Sequence, residues 1–377
     1  MKTVLLIFGT RPEAVKMAPV YRALERHADF TPLICLTAQH REMVDQVMTL
    51  FDLPVHTDLN IMRPDQDLAQ LTGRILEALS QVLRDLKPDA VLVQGDTTTS
   101  FCGALAAFYA RIPVGHVEAG LRTGNPSSPF PEEINRQMTG RLAHWHFAPT
   151  DINRRALLKE GVPENRITLT GNPVIDALGI VVERLRSDRA DAESRALLNR
   201  FSRPFILVTG HRRESFGGGF ESICHALATL AENHPEMDIL YPVHLNPNVR
   251  EPVFRILGQR PTVHLLDPLP YAPFVALMSR ARLILTDSGG VQEEALPLGR
   301  PVLIMRDTTE RTEALEYGAE LVGVDTERIV TAAESRLAAP FTEPEQFPVA
   351  SPYGDGHAAD AIVNALADAT LWPPETP

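Results

Sequence analysis

The sequence predicts an α/β protein made of two domains, each with a mainly parallel sheet. Short unbroken apolar runs, typical of strands buried on both faces, alternate along the chain with stretches of helical periodicity. The alternation begins a second time after residue 171. The length of 377 residues is also more than one compact core usually holds, so we expect two domains of ordinary size.

In the first half of the chain, four apolar runs alternate with predicted helices. The first run covers residues 4–8 and stops at Gly9, and a helix should follow from about Pro12, because proline suits the first helical turn. Further strands are predicted at 33–36, 90–93 and 114–117, and helices at 40–51, 67–86 and 98–110. Since parallel strands need crossover connections, this order predicts a parallel sheet.

The second half repeats the pattern. Strands are predicted at 205–208, 239–241, 263–266, 283–285 and 301–304. Between the halves, residues 181–200 are rich in charged residues and alanine, which indicates a solvated helical connection. Residues 358–371 are helical in pattern, and we expect residues 372–374 to be frayed.

The charge and the cysteine content limit the classes of binding partner and the cellular compartment that we expect. The 36 Lys and Arg against 48 Asp and Glu give a net charge of −12, which repels nucleic acid and anionic membranes, so we expect neither as a partner. The cysteines Cys35, Cys102 and Cys224 are odd in number and form no CxxC pair, which favours buried free thiols and a cytoplasmic location. No basic leader or long apolar run indicates a targeting or membrane segment.

Motifs for metals and dinucleotides are missing from the sequence. The chain has 12 histidines, among them His144, His146 and His244, but none has the spacing of HExxH or a comparable ligand set. No GxGxxG follows a predicted strand, which argues against a tightly held dinucleotide. We therefore expect neither a metal nor a cofactor.

Ligands of open parallel sheets bind beyond the carboxyl ends of the strands, so the loops there carry the functional predictions. In the second half, Ser288, Gly289 and Gly290 follow a strand and open a helix, where free N–H groups suit a phosphate. Glu294, one turn later, could accept bonds from ribose hydroxyls. The alternative is a helix cap followed by a surface acid.

A basic loop follows another predicted strand of the second half. His211, Arg212 and Arg213 could add positive charge around the same anion. The alternative is that they form a solvated basic loop.

The first half brings acids to its strand ends. Asp96, Glu118, Glu132 and Glu133 are offset by the cations Arg11 and Lys16. Acids on facing loops can be shifted to different pKa values, which suits general acid and base catalysis. Each acid alone is more often a cap or a salt-bridge partner, and Asp96 could be the N-cap of the helix after it.

The motifs at these positions resemble those of the non-hydrolysing UDP-N-acetylglucosamine 2-epimerases of bacteria. The resemblance runs from the first strand to residue 356 and is carried by residues 8–14, 37–41, 94–99, 116–123, 131–133, 210–214, 242–247 and 287–294. Two positions depart from the family pattern. Leu269 stands where related sequences often carry glutamine, and Thr312 replaces a usual proline, which affects the expected binding geometry but none of the acids.

The resemblance implies a GT-B-like fold, with two Rossmann-like domains whose parallel sheets face a cleft. A C-terminal helix is expected to cross back to the first domain, and the chain to form a homodimer. Residues 1–170, with the helix at 358–371, would be the sugar-binding and catalytic domain. Residues 171–357 would be the UDP-binding domain.

The resemblance also implies a set of site residues. The implied catalytic acids are Asp96, Glu118 and Glu132. The implied substrate-binding residues are Arg11, Lys16, His211, Leu269, Phe274, Ser288, Gly289, Gly290, Glu294 and Arg311. A second UDP-N-acetylglucosamine molecule, acting as an allosteric activator, would lie by Gln39, His40 and Arg41.

The implied activity is reversible epimerisation of UDP-N-acetylglucosamine to UDP-N-acetylmannosamine, without a cofactor. UDP would be eliminated to leave a 2-acetamidoglucal and then added back, and the product would supply N-acetylmannosamine-type sugars for bacterial cell-surface polysaccharides. Three alternatives remain open from the residues. These are a glycosyltransferase with a UDP-sugar donor, a hydrolysing epimerase, and a catalytically silent sugar-nucleotide sensor.

Overall fold

The chain folds into two compact units, which a computed structural model describes for residues 1–37, 41–63, 66–187, 191–210, 212, 217–340 and 347–373, with 41 and 42 described by backbone alone. Unit 1 comprises Met1–Ala177 and the segment that begins at Tyr353. Unit 2 comprises Leu178–Pro352. Each unit contains one sheet.

Unit 1 is built on a parallel sheet of seven strands. The strands are β1 (Lys2–Phe8), β2 (Phe30–Leu36), β3 (Thr57–Asp58), β4 (Ala90–Gln94), β5 (Val114–Val117), β6 (Trp145–Ala148) and β7 (Ile167–Leu169). Their order across the sheet is β3-β2-β1-β4-β5-β6-β7. Every residue from Val4 to Phe8 is fully buried, as expected for a central strand whose two faces are both covered.

Helices connect the strands of unit 1. They are α1 (Arg11–Arg26), α2 (Arg41–Leu50), α3 (Leu68–Leu86), α4 (Thr98–Tyr109), α5 (Glu132–Leu142) and α6 (Asp151–Lys159). Helix α7 (Pro173–Arg186) contains the boundary between the two units.

Unit 2 repeats the plan with a parallel sheet of six strands. The strands are β8 (Phe205–Thr209), β9 (Asp238–Pro242), β10 (Val263–Leu266), β11 (Leu283–Thr286), β12 (Val302–Ile304) and β13 (Glu320–Leu321), in the order β10-β9-β8-β11-β12-β13. The helices are α8 (Ala192–Arg200), α9 (Gly218–Asn233), α10 (Pro247–Leu257), α11 (Tyr271–Met278), α12 (Gly289–Ala295), α13 (Glu313–Glu316) and α14 (Thr326–Ala338).

The C-terminal helix α15 (Ala358–Ala367) packs against α1 in unit 1. Asp176 caps it, because its carboxylate accepts from the backbone N–H groups of Ala358 and Ala359 at 3.2 and 2.9 Å. Burial raises the pKa of Asp176 to about 6, although these two bonds act in the opposite sense.

The expectation that residue 372 is frayed is wrong. The indole N–H of Trp372 donates to the carbonyl of Leu366 at 2.7 Å, and its ring meets Trp145 edge-on with centroids 4.9 Å apart. The Lys2 ammonium lies over the Trp372 ring, 3.3 Å from its centroid. An aromatic pair and a cation–π contact therefore hold the chain end in place.

The predicted α/β class, the two parallel sheets and every predicted strand are confirmed. In the predicted helical connection at 181–200, residues 181–186 and 192–200 are helical and 188–190 lie outside the described residues, but Val181 and Val182 are buried and not solvated. The three cysteines are free and buried, as expected. Among the described residues, no helix combines the length and the apolar character that crossing a membrane requires.

Candidate active site

Three adjacent strands of unit 1, β1, β4 and β5, deliver the candidate catalytic groups. Glu118 follows β5 directly, Asp96 lies two residues beyond β4, and Lys16 projects from α1, the helix after β1. Because parallel strands end at one edge of the sheet, residues far apart in sequence meet there.

Among the described residues, three side chains donate to Glu118. The Lys16 ammonium donates to its Oε1 at 2.5 Å and the Asn172 amide to the same oxygen at 3.1 Å, while the Gln94 amide donates to Oε2. The side chains of Lys16 and Glu118 are each only 9% exposed. The backbone of Glu118 has φ of +63°, a left-handed conformation that costs a non-glycine residue about 1–2 kcal/mol. Strain of this kind is typical of functional positions.

Asp96 pairs with a buried guanidinium. Its Oδ2 lies 3.0 Å from Nη2 of Arg136, whose side chain is 4% exposed. Burial raises the pKa of Asp96, and the charges of Glu118 and Glu132 raise it further, whereas Arg136 and Lys16 act to lower it. Glu118 and Glu132 therefore both lie within electrostatic reach of Asp96. The N-cap of α4 is Thr97, so the capping role considered for Asp96 is excluded.

Helix α5 supplies two glutamates with different surroundings. The buried carboxylate oxygen Oε2 of Glu132 has no hydrogen-bond partner among the described residues. The charge of Glu132 acts on Asp96, so this oxygen is an unused acceptor near that carboxyl. Glu133 is fully buried and accepts from the backbone N–H groups of Thr123 and Gly124 at 3.0 and 3.2 Å. Although burial alone would raise it, the pKa of Glu133 is lowered, because these bonds and the one from Gln137 favour the carboxylate. Glu133 therefore holds the loop at 123–124, whereas Oε2 of Glu132 is not engaged in this way.

Two further buried groups tie the strand-end loops together. Glu13 accepts from the N–H groups of Gly9 and Thr10 at 3.0 and 2.8 Å and from the Thr97 hydroxyl at 2.6 Å. His116 lies 2.7 Å through Nε2 from the Gly95 carbonyl. Burial lowers the pKa of His116 to about 4, so the ring is neutral at pH 7 and acts as a donor to this carbonyl.

In unit 2 the start of α12 lies against a guanidinium. A Cβ placed on Gly289 would come within 2.4 Å of Nη1 of Arg311, so only glycine allows Arg311 to approach the first turn of this helix. Arg311 is fixed by Glu293 at 2.7 Å and by Glu310 at 2.5 Å. Burial would raise the pKa of Glu310, but Arg311 and Arg306 lower it to about 2.

The predicted ribose acceptor and the backbone before α12 are also held in place. The Tyr271 hydroxyl donates to Oε1 of Glu294 at 2.6 Å in a buried contact. The N–H of Ser288 donates to the Thr286 hydroxyl at 2.9 Å, and this hydroxyl lies 2.6 Å from that of Thr209 on the neighbouring strand. Ser288 and Gly290 are partly exposed among the described residues.

For the other predicted site residues, the structure gives a position in the chain and, for some, the exposure. Arg11 is the first residue of α1, Leu269 lies between β10 and α11, and Phe274 lies in the first turn of α11, all three partly exposed. Gln39, His40 and His211 lie outside the described residues, and Arg41 is described only as the first residue of α2. Their predicted roles stay predictions.

The sequence analysis missed the residues that hold the acids. These are Gln94, Asn172 and Arg136 in unit 1 and Tyr271 in unit 2. One signal was available for Arg136, which lies four residues after Glu132 and therefore on the same helix face. In the described part of the chain, no group of three or more His, Cys, Asp or Glu side chains could hold a metal ion.

Comparison with known proteins shows which family this chain is similar to. The sequence model of the family described as UDP-N-acetylglucosamine 2-epimerase matches residues 22–367. The UDP-N-acetylglucosamine 2-epimerase of Yersinia pestis is 57% identical over 368 residues, covering 96% of this chain and 98% of that protein. The enzyme of the same name from Escherichia coli K12 is 56% identical with the same coverage.

Solved structures agree with the sequence matches. The fold is similar to a UDP-GlcNAc 2-epimerase from Neisseria meningitidis bound to UDP-GlcNAc, with a TM-score of 0.89 and 46% identity over 97% of this chain and 99% of that one. It is also similar to the Methanocaldococcus jannaschii UDP-GlcNAc 2-epimerase in complex with UDP-GlcNAc and UDP, with a TM-score of 0.82 and 34% identity at the same coverage. The chain therefore belongs to the UDP-N-acetylglucosamine 2-epimerase family.

Proposed function

We propose that this chain interconverts UDP-N-acetylglucosamine and UDP-N-acetylmannosamine by inverting C2, as an isomerase that does not hydrolyse its substrate. The observation that carries the proposal is the cluster of three carboxylates in unit 1, which lie within electrostatic reach but differ in their partners. Family membership supplies the substrate class.

The reaction must first make the C2 hydrogen acidic, because it is not adjacent to a carbonyl. Departure of UDP with the electrons of the C1–O bond leaves an oxocarbenium-like C1, which acidifies that hydrogen. A carboxylate takes the proton, and the electrons of the C2–H bond form the C1=C2 double bond of a 2-acetamidoglucal. A proton then reaches C2 from the opposite face, and an oxygen of UDP bonds to C1 again.

One carboxylate cannot easily serve both faces of C2, and the surroundings of these acids support a division of work. Three donors stabilise Glu118 as a carboxylate, which suits a proton acceptor. Burial raises the pKa of Asp96, which favours a carboxyl group that retains a proton. The unpartnered oxygen of Glu132 adds a third group for proton transfer.

We assign UDP binding to residues 171–357 and sugar chemistry to residues 1–170 with the helix at 358–371. The start of α12 beside Arg311 suits the diphosphate, because backbone N–H groups and a guanidinium stabilise the charge of the leaving group. Glu294 suits two vicinal ribose hydroxyls. His211 and Arg11 are assigned to the same substrate by the family resemblance.

The decisive experiment is incubation of the purified chain with UDP-N-acetylglucosamine in D2O, followed by proton NMR. We expect UDP-N-acetylmannosamine with deuterium at C2, without added NAD and after exhaustive chelation of metals. Release of free N-acetylmannosamine and UDP would identify a hydrolysing epimerase. Transfer of the sugar to an acceptor would identify a glycosyltransferase, and binding without turnover a sensor. An absolute requirement for NAD would refute the mechanism.

The three acids are tested by conservative variants. Asp96→Asn, Glu118→Gln and Glu132→Gln should each lower turnover by roughly 10²-fold or more, the scale expected for lost proton transfer. UDP affinity, measured by calorimetry, should survive in each variant because UDP is assigned to the other unit. Wild-type turnover in all three variants would refute the assignment.

The assembly and its regulation complete the proposal. We assign a homodimer, supported by exposed apolar side chains on the adjacent helices α4 and α5, among them Phe108, Tyr109 and Met138. A second UDP-N-acetylglucosamine by Gln39, His40 and Arg41 would act as an activator, and the free cysteines favour action in the cytoplasm. Sedimentation tests the dimer, and rates measured in both directions test the activator.

A further inference from the structure

Asn172 is a buried residue that the sequence analysis gave no role, and both its side chain and its backbone form hydrogen bonds in unit 1. Its side-chain Nδ2 donates to Oε1 of Glu118 at 3.1 Å, and its Oδ1 accepts from the backbone N–H of Val174 at 3.1 Å. Its own N–H donates to the carbonyl of Tyr353 at 2.8 Å. The residue is 1% exposed, so these bonds form away from solvent.

These bonds determine which way the amide points. The N–H of Val174 can only donate, so the side-chain atom that faces it must be the oxygen of Asn172. The atom that faces Glu118 is therefore the NH2 group, a donor to the carboxylate. A hydrogen bond to an ionised group is stronger than one between neutral groups.

Asn172 also lies where the segment that leaves unit 1 contacts the segment that returns to it. The chain passes into unit 2 after Ala177 and returns at Tyr353. Gly171 has φ of +82°, and a Cβ there would lie 3.0 Å from the Tyr353 carbonyl, so the outgoing and returning segments touch at this point. The backbone bond from Asn172 to Tyr353 joins them.

We infer that Asn172 is a positioning residue for Glu118, whose amide holds that carboxylate for proton transfer and connects it to both segments through which the chain passes between the units. The inference rests on the proposed function, because it takes Glu118 as a reacting group. Asn172 itself does not exchange a proton.

The charged and titratable groups around Glu118 make this role measurable. Lys16 from α1 contacts Glu118 directly, Asp96 faces it from the loop after β4, and His116 faces it from β5. Asn172 is a neutral donor among them. Asn172→Asp keeps the shape and the acceptor for Val174 but places a second carboxylate against Glu118. This change therefore disfavours the ionised form of Glu118 while leaving the chain crossing in place.

The test compares pH profiles of kcat and KM for UDP-N-acetylglucosamine. For Asn172→Asp we expect the acidic limb of the kcat profile to move up by about 1–2 pH units, because the ionised Glu118 loses a hydrogen bond and also gains a like charge beside it, with KM changed less than about threefold. Asn172→Ala should move the same limb in the same direction by a smaller amount. The matched control is Asp176→Asn, which alters the capping of α15 without a contact to Glu118, and it should lower Tm and leave the limb unchanged.

Each outcome decides the matter. An acidic limb at the wild-type pH in both Asn172 variants would overturn the inference, as would failure of both to fold while Asp176→Asn folds, because Asn172 would then serve only the chain crossing. Glu118→Gln is measured in parallel. If it keeps wild-type turnover, the proposed role of Glu118 fails. If it loses turnover while the Asn172 profiles stay unchanged, only the positioning role fails.

Discussion

Removing the guanidinium of Arg136 should shift the pH dependence of the reaction through Asp96. Arg136 lies 3.0 Å from Asp96 and opposes the effect of burial, which raises the pKa of that carboxyl. An opposite charge at this range typically lowers a carboxyl pKa by about 1–3 units, or roughly 1.4–4 kcal/mol. In Arg136→Met the pKa of Asp96 should therefore rise further by about this amount, and the limb of the kcat profile that follows Asp96 should move to higher pH.

The assay is turnover of UDP-N-acetylglucosamine across the pH range, followed by NMR. Arg136→Lys is the control, because it keeps a positive charge but loses the planar fork, and its shift should be smaller. Breaking a buried ion pair can cost about 3–5 kcal/mol, so the free energy of unfolding is measured for both variants. An unchanged profile in a folded Arg136→Met enzyme would refute the reasoning.

Three other predictions concern stability and kinetics. Gly120→Ala should cost about 2–4 kcal/mol in urea unfolding, since a Cβ there meets the Asn153 carbonyl at 2.3 Å. Gly124→Ala shares the positive φ but has open space, so it should cost only about 1–2 kcal/mol, and equal losses would contradict the clash. Trp372→Ala should cost about 2 kcal/mol, whereas an unchanged midpoint would mean a frayed end. Rates should depend sigmoidally on UDP-N-acetylglucosamine, and hyperbolic kinetics in both directions would remove the activator.

The apolar strands at the centre of the sheets could be predicted, whereas three short edge strands could not. Residues 4–8 and 90–93 read as strands because they are buried on both faces at the centre of the sheet. The strands β3, β7 and β13 have two or three residues at sheet edges, and their partly exposed positions carry no apolar run. Trp372 was misjudged because nothing local indicates its packing against Trp145.

The sequence by itself determined the α/β class, the two sheets and the acids and glycines at the strand ends, because each depends on local patterning and on motifs that are contiguous in the chain. Only the tertiary structure decided which donors hold which acid. Glu118 meets Lys16 from 102 positions away and Asn172 from 54, and the identity of a partner at such distances depends on the order of β1, β4 and β5 in the sheet. The raised pKa of Asp96, which distinguishes it from Glu118 in the proposed mechanism, likewise results from burial and from neighbouring charges. Both exist only once the chain is folded.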